Sequence, residues 1–373
     1  MSARQLSQAA EAPVSSIYHH FGSLEHLFLA GQQTCLIAAR HWGEQQITHA
    51  RGVAGSPESF AGFFAHALDD WAQQQRPLAF AWRECLLLAD RNPMFRETAE
   101  QWTALWRRFW REAAEVFALR NNLIIAERIF ETESLYHLVR WQRLIDRAAL
   151  DETARGVAAW LAGAPAPAAP WRAFAHAEAF RTIPVRPERD AVTSGIMAAA
   201  ADLIARGGVA GVTHRAVAEQ AGVTLGTVSH KFPTKSGLLE AAFEGIYAAM
   251  TSQAEASSDS DRQATSPHEV VEDIARAVVH TTQGAGRDEL VLAAARDPAL
   301  ATFGAQVRYL RGRSSRAGLQ ALIGPDREAS LLEAALFSAF LSSQLRAYAG
   351  RPAPTAWREA ASELAGLATM LAP

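Results

Sequence analysis

An all-α protein made of two related halves is what the sequence predicts, and three observations predict it. Apolar residues recur at helical spacing along most of the chain. Over 99–117, for example, Trp102, Trp106, Phe109, Ala113 and Val116 share one helix face, which Trp110 and Phe117 widen. No sustained apolar/polar alternation bounded by hairpin turns occurs. The chain also repeats itself about a proline-rich middle. Residues 2–27 align without gaps to 213–238, with Arg4/Arg215, Ala10/Ala221, His19/His230, Phe21/Phe232 and Leu27/Leu238 identical. Downstream and in the same order, Glu84, Leu87, Ala89, Arg91 and Pro93 meet Glu289, Leu292, Ala294, Arg296 and Pro298. Two ordered matches mark a tandem duplication, with a period too long for a solenoid.

Composition narrows the class. The 373 residues suit two or three domains, and 49% apolar content can fill their cores. A net charge of −3 with 20% charged residues excludes a polybasic tail, a disordered acidic chain or a collagen-like repeat. Cys35 and Cys85 make no disulfide framework and fit a reducing compartment. Residues 1–8 carry no apolar signal core, and no apolar run reaches the roughly 18 residues of a membrane span, so a soluble cytoplasmic protein is expected. Of the 36 basic residues only two, Lys231 and Lys235, are lysine.

In chain order, a short helical pair is expected over 1–32 and a large helical domain over 33–162. Residues 163–188 read as a stiff, extended linker: Ala162–Pro170 holds three prolines, and Pro184 and Pro187 follow. A small helical domain spans 189–243 and a second large one 244–373. Within the latter, 257–267 reads as a surface loop, and 331–348 as a helix with small residues among Leu and Phe.

The small domain at 189–243 carries the sharpest motif. Asp190–Arg206 is an amphipathic helix halted by Gly207-Gly208. Thr213 is placed to cap a short helix, Gly222 to end it with positive φ, and Thr224 to cap a second. Val217, Ala218, Ala221, Val223, Val228 and Phe232 supply an inner face. Two short helices about a tight glycine turn make a helix-turn-helix, whose second helix can enter the DNA major groove. Its outer face offers Thr224, Leu225, Gly226, Thr227, Ser229, His230 and Lys231 to bases or phosphates, with Thr213, Arg215 and Lys235 flanking.

These residues resemble the DNA-binding domain of TetR-family transcriptional regulators, whose pattern runs A-G-V-S-x-G-x-L-Y-x-H-F-x-S-K-E-x-L. Ala221, Gly222, Val223, Thr224, Gly226, Val228, Phe232, Thr234, Lys235 and Leu238 stand at its positions, while Ser229 and Lys231 depart from its Tyr and His. The first half is similar through Ile17, Tyr18, His19, His20, Phe21, Ser23, Glu25 and Leu27. It departs with Glu11 at the turn glycine, Pro13 at the cap, Ser15 at the helix glycine and Leu24 at the lysine. Ser15, Ser16, Tyr18, His19 and His20 are its candidate DNA contacts. The first copy starts at Met1 without an equivalent of residues 190–212, the stretch that in this family closes the small core. Either the linker or a neighbouring element takes its place, or the start is mis-assigned, or the first reader is weakened or lost, which is the expectation favoured here by Leu24 and Glu11.

The resemblance implies two tandem TetR-like units, each a helix-turn-helix with a helical domain for effector binding and dimerisation. The family pairs through the last two long helices of each subunit, here about 122–162 and 327–371. The halves would then pair within one chain as a pseudo-dimer, or two chains as a homodimer. Nine of the ten tryptophans lie in 42–171, which suggests an aromatic pocket for an apolar or ring-bearing small molecule. Its candidates are Trp82, Trp102, Trp106, Phe109, His137 and Trp141, with Phe303, Phe337 and Phe340 in the second half. Arg83, Glu84 and Arg140 are candidate polar anchors. The plainer reading is that most of these rings fill a core.

No G-x-S-x-G elbow, phosphate loop or dinucleotide glycine pattern occurs, and His19, His20 and His26 lack partners at metal-ligand spacing. No catalytic residue, metal or cofactor is expected. The expected function is a ligand-responsive regulator on double-stranded operator DNA, acting as a repressor that its effector releases. The alternative is a sensor of small molecules or partners that has lost specific DNA binding.

Overall fold

Among the described residues, the first half of the chain forms α1 (Ala3–Ala9), α2 (Val14–Phe21), α3 (Leu24–Ala50), α4 (Pro57–Gln73), α5 (Arg76–Arg91), α6 (Arg96–Val116), α7 (Leu123–Tyr136) and α8 (Arg143–Leu161). A connecting helix, α9 (Pro170–Arg181), leads to the second half. There follow α10 (Ala191–Gly211), α11 (His214–Ala221), α12 (Leu225–Lys231), α13 (Lys235–Ser258), α14 (Pro267–His280), α15 (Gly284–Arg296), α16 (Gly304–Tyr309), α17 (Arg316–Ile323), α18 (Leu331–Tyr348) and α19 (Ala353–Leu371). The computed structural model describes residues 3–52, 57–119, 123–183, 189–258, 266–280, 284–297 and 304–371, and among them no strand occurs.

α4 packs along α8 in the first half, as α14 packs along α19 in the second. The helix expected over 99–117 is α6, whose inner stripe Trp102, Trp106, Phe109, Trp110 and Ala113 is buried. The helix expected over 331–348 is α18, started by a capping box in which Ser330 and Glu333 each accept the other's backbone N–H.

The stretch 163–188 differs from the extended linker expected. Residues 164–169 are irregular, but α9 begins at Pro170, where the missing N–H costs nothing because a helix's first N–H groups have no partner within the helix. The Glu152 carboxylate accepts the next two, from Trp171 at 2.9 Å and Arg172 at 2.7 Å. α9 buries Arg172, Ala175 and Ala179 against α8 and α16, so the connector is part of the packed body. Pro184 and Pro187 lie outside the described residues.

One apolar core runs through both halves, and they meet where α7 and α8 pack against α18 and α19. Thr132 Oγ1 donates to the Ala339 carbonyl at 2.7 Å, and Arg128 forks onto Glu363 at 2.8 and 3.1 Å. Gly156 of α8 permits the approach: a Cβ there would stand 2.9 Å from Leu336 Cδ1 of α18. At the centre, half-buried Glu131 of α7 pairs with Arg83 of α5 and Arg346 of α18, and Ser343 donates to it. Burial alone pushes the Glu131 carboxyl up, but Arg346 and Arg83 outweigh it and hold it at about 2. Removing one partner would leave a largely enclosed charge unpaired, which makes the network costly to break.

Candidate nucleic-acid interface

The second-half motif is built on α10. Asp190 caps it by accepting the Thr193 N–H at 2.9 Å, and Ile196, Ala199, Ala200 and Ile204 turn inward. The glycine halt is a kink: Gly208 takes φ 69°, ψ −179°, and the last turn runs on to Gly211. Arg91 of the first half reaches this kink, donating to Glu289 of α15 at 2.6 Å, and a Cβ at Gly208 would collide with its guanidinium.

α11 starts where the cap predicts, with Thr213 Oγ1 accepting the Ala216 N–H at 3.1 Å, and ends at Gly222 with φ 66°. Thr224 Oγ1 accepts the Thr227 N–H at 3.1 Å and starts α12. Val217, Val228 and Leu238 are wholly buried, which locks α11, α12 and α13 together beneath α10. His214 adds a tie, donating from Nε2 to the Phe232 carbonyl at 2.7 Å.

This packing presents a polar surface. Thr213, Arg215, Thr224, Leu225, Gly226, Ser229, His230, Lys231 and Lys235 are exposed, and Thr227 is half-buried with its hydroxyl on Thr224. Leu225, 47% exposed, is an apolar side chain the core does not use. One feature escaped sequence reasoning. The Lys231 ammonium pairs with the Asp190 carboxylate, 41 residues away, and with the Thr193 donors holds that carboxyl well below its usual range. Lys231 therefore stands in an ion pair and not as a free cation.

The helix pair at 3–21, which aligns with this motif in sequence, has little core of its own. Glu11 takes φ 51°, the left-handed conformation that Gly222 adopts without penalty. Pro13 precedes α2 and gives no side-chain cap. α1 buries no residue and α2 only Ile17. Ser15, Tyr18, His19 and His20 are exposed and Ser16 half-buried, with Val14 and Phe21 also exposed.

The predicted effector residues do not form one site. Trp82, Trp102, Trp106 and Phe109 come together, with Trp82 4.7 Å and Phe109 5.7 Å from Trp106 by ring centroids. Trp42, Trp71 and Phe130 join them, and all seven rings are buried against one another as core. Phe109 also lines an outer groove of about 320 Å³ between α3 and α6, beside Gly43, Ile47, Arg40 and Glu44. His137 and half-buried Trp141 lie at the seam instead, Trp141 against Tyr309 at 5.6 Å. Phe337 and Phe340 are buried in α18, and Phe303 lies outside the described residues. Of the suggested anchors, Arg83 belongs to the Glu131 network, Glu84 pairs with Arg296, and Arg140 donates to Gln73 at 3.1 Å.

Cys35 and Cys85 are free, and burial raises both thiols, Cys85 to about 12. Among the described residues no cluster of three or more His, Cys, Asp or Glu could hold a metal, and no helix is long and apolar enough to cross a membrane.

Compared with known proteins, residues 196–242 match the family model described as bacterial regulatory proteins, tetR family. The match spans most of α10, all of α11 and α12 and the start of α13. No curated protein matches the chain.

Proposed function

We propose that this chain, a DNA-binding regulator by its TetR-type domain at 196–242, is a ligand-responsive repressor that carries both halves of a TetR-like dimer in one polypeptide. The observation that carries the reading is the complete second reader. Capped α12 stands on a closed core and offers Leu225, Ser229, His230 and Lys231 outward, dimensions and chemistry that suit a major groove. Packing of α7 and α8 on α18 and α19 supports pairing within the chain. In such a pair the readers are unequal, Tyr18 and Leu24 against Ser229 and Lys235, so the operator is asymmetric. Arg91 links the first half directly to the α10 kink and offers a mechanical route from an effector to the reader. A small apolar or aromatic effector acts by preferring the state in which reader spacing no longer suits successive major grooves, about 34 Å apart.

The test is fluorescence anisotropy of the protein on its own upstream DNA and on an unrelated duplex, at two salt concentrations. Tight binding to the upstream DNA alone is expected. Equal, weak and salt-sensitive binding to both, or none, would leave a sensor without specific DNA recognition.

A further inference from the structure

The packing of α14 on α19 leaves a groove on the outside of the second half. Trp357, Ala361, Ala365 and Ala368 recur along α19 at helical spacing and form one wall, with Val271 and Glu272 on the facing α14. Three alanines after a tryptophan leave room that bulkier side chains would fill. The groove holds about 400 Å³, enough for a small molecule. One carboxylate in it lacks a partner. The Glu272 side chain is 25% exposed, and its Oε2 is enclosed without a hydrogen bond. Its one ion-pair neighbour among the described residues, His268 Nε2, stands 4.0 Å from Oε1, beyond hydrogen-bond reach. The arginines nearby are turned to other acceptors. Arg276 pairs with Asp273 at 2.8 Å, and Arg358, exposed at the rim, donates to the Pro354 carbonyl at 3.1 Å.

An ionised carboxylate can only accept hydrogen bonds, and one that is three-quarters enclosed without a donor is costly. Water could satisfy Oε2 but would leave its charge uncompensated beside apolar walls. An ammonium answers the charge, and the face of an indole in the same groove attracts the same cation. We propose that the groove between α14 and α19 binds a small organic cation, an ammonium joined to an apolar body. The ammonium pairs with Glu272, and the body lies along Trp357, Ala361 and Ala365. α19 also carries Glu363, onto which Arg128 of the first half forks, so the ligand sits on a helix of the seam. The site is separate from the DNA reader and from the buried ring cluster of the first half, and DNA-free protein suffices to test it.

Titration calorimetry of the full chain with phenethylammonium chloride decides it, beside two probes of similar shape, neutral phenethyl alcohol and sodium phenylacetate. One saturable site per chain is expected for the cation, at least about tenfold weaker in Glu272→Gln because a charge-assisted hydrogen bond is removed. Asp273→Asn, which removes an exposed carboxylate one residue away, should leave the affinity unchanged. Ala365→Phe fills the groove from an exposed position and should abolish binding with Glu272 still present. Absence of saturable binding of the cation overturns the proposal, as does equal affinity in Glu272→Gln. Equal or tighter binding of the alcohol would also overturn it, by showing that the charge is not read. Equal or tighter binding of phenylacetate would do the same, by placing the ligand on Arg358.

Discussion

The two candidate DNA readers start from alignable sequence and end as different objects. In the second, α10 lays Ile196, Ala199, Ala200 and Ile204 over α11 and α12, and the outer face can then be wholly polar apart from Leu225. In the first, α1 and α2 bury Ile17 alone, and Val14, Tyr18 and Phe21 stay at least a third exposed. The lesson is that a helix-turn-helix of about twenty residues cannot make its own core. Its stability comes from the helix that crosses it, and its reading face is only as well placed as that packing allows.

The comparison breaks most visibly at α10. Ile196→Ala and Ile204→Ala remove wholly buried side chains and should each cost about 2–5 kcal/mol, with hydrogen exchange rising in α11 and α12. Ile17→Ala, in the open first reader, should cost clearly less. Equal costs would mean that the first reader has a core of its own.

The seam is the next test. His137 is held near 3 by burial, against about 6.5 in an unfolded chain. The unfolded state therefore takes its proton first, and stability is lost as pH falls from about 6.5 towards 3. Glu133 and Glu131, held at about 2, add to the loss only below about pH 4.3. Thermal melts across pH 7 to 4.5 should show a falling midpoint in the unsubstituted protein and a flatter one in His137→Gln.

Two smaller changes sharpen the contrast. Thr224→Ala removes the cap of α12 and should cost about 1 kcal/mol with some loss of DNA affinity. Glu11→Gly relieves a left-handed non-glycine residue and should stabilise the first half, by less than about 1 kcal/mol once the freedom glycine adds to the unfolded chain is counted. Chemical denaturation resolves the first and tests the sign of the second.

Much of this was legible from local sequence because its causes are local. Thr213, Gly222 and Thr224 are read from cap and turn chemistry, and the faces of α6 and α18 from helical spacing. What was not legible depends on distant residues. Pro170 reads as a helix breaker until Glu152 is seen capping the helix it starts. Lys231 reads as free until Asp190 is folded beside it. Trp82, Trp102 and Trp106 read equally well as a pocket or a core, because only packing tells whether rings face a ligand or one another.

The central claim, that the second reader carries most of the DNA recognition and the first the smaller share, is tested most directly by anisotropy on the upstream fragment with two paired substitutions. Lys231→Ala with Lys235→Ala should weaken binding and reduce the salt slope by about two, one for each phosphate no longer neutralised. His19→Ala with His20→Ala should weaken binding clearly less and leave the salt slope almost unchanged. Equal losses from the two pairs, or a loss from the first-half pair alone, would contradict it.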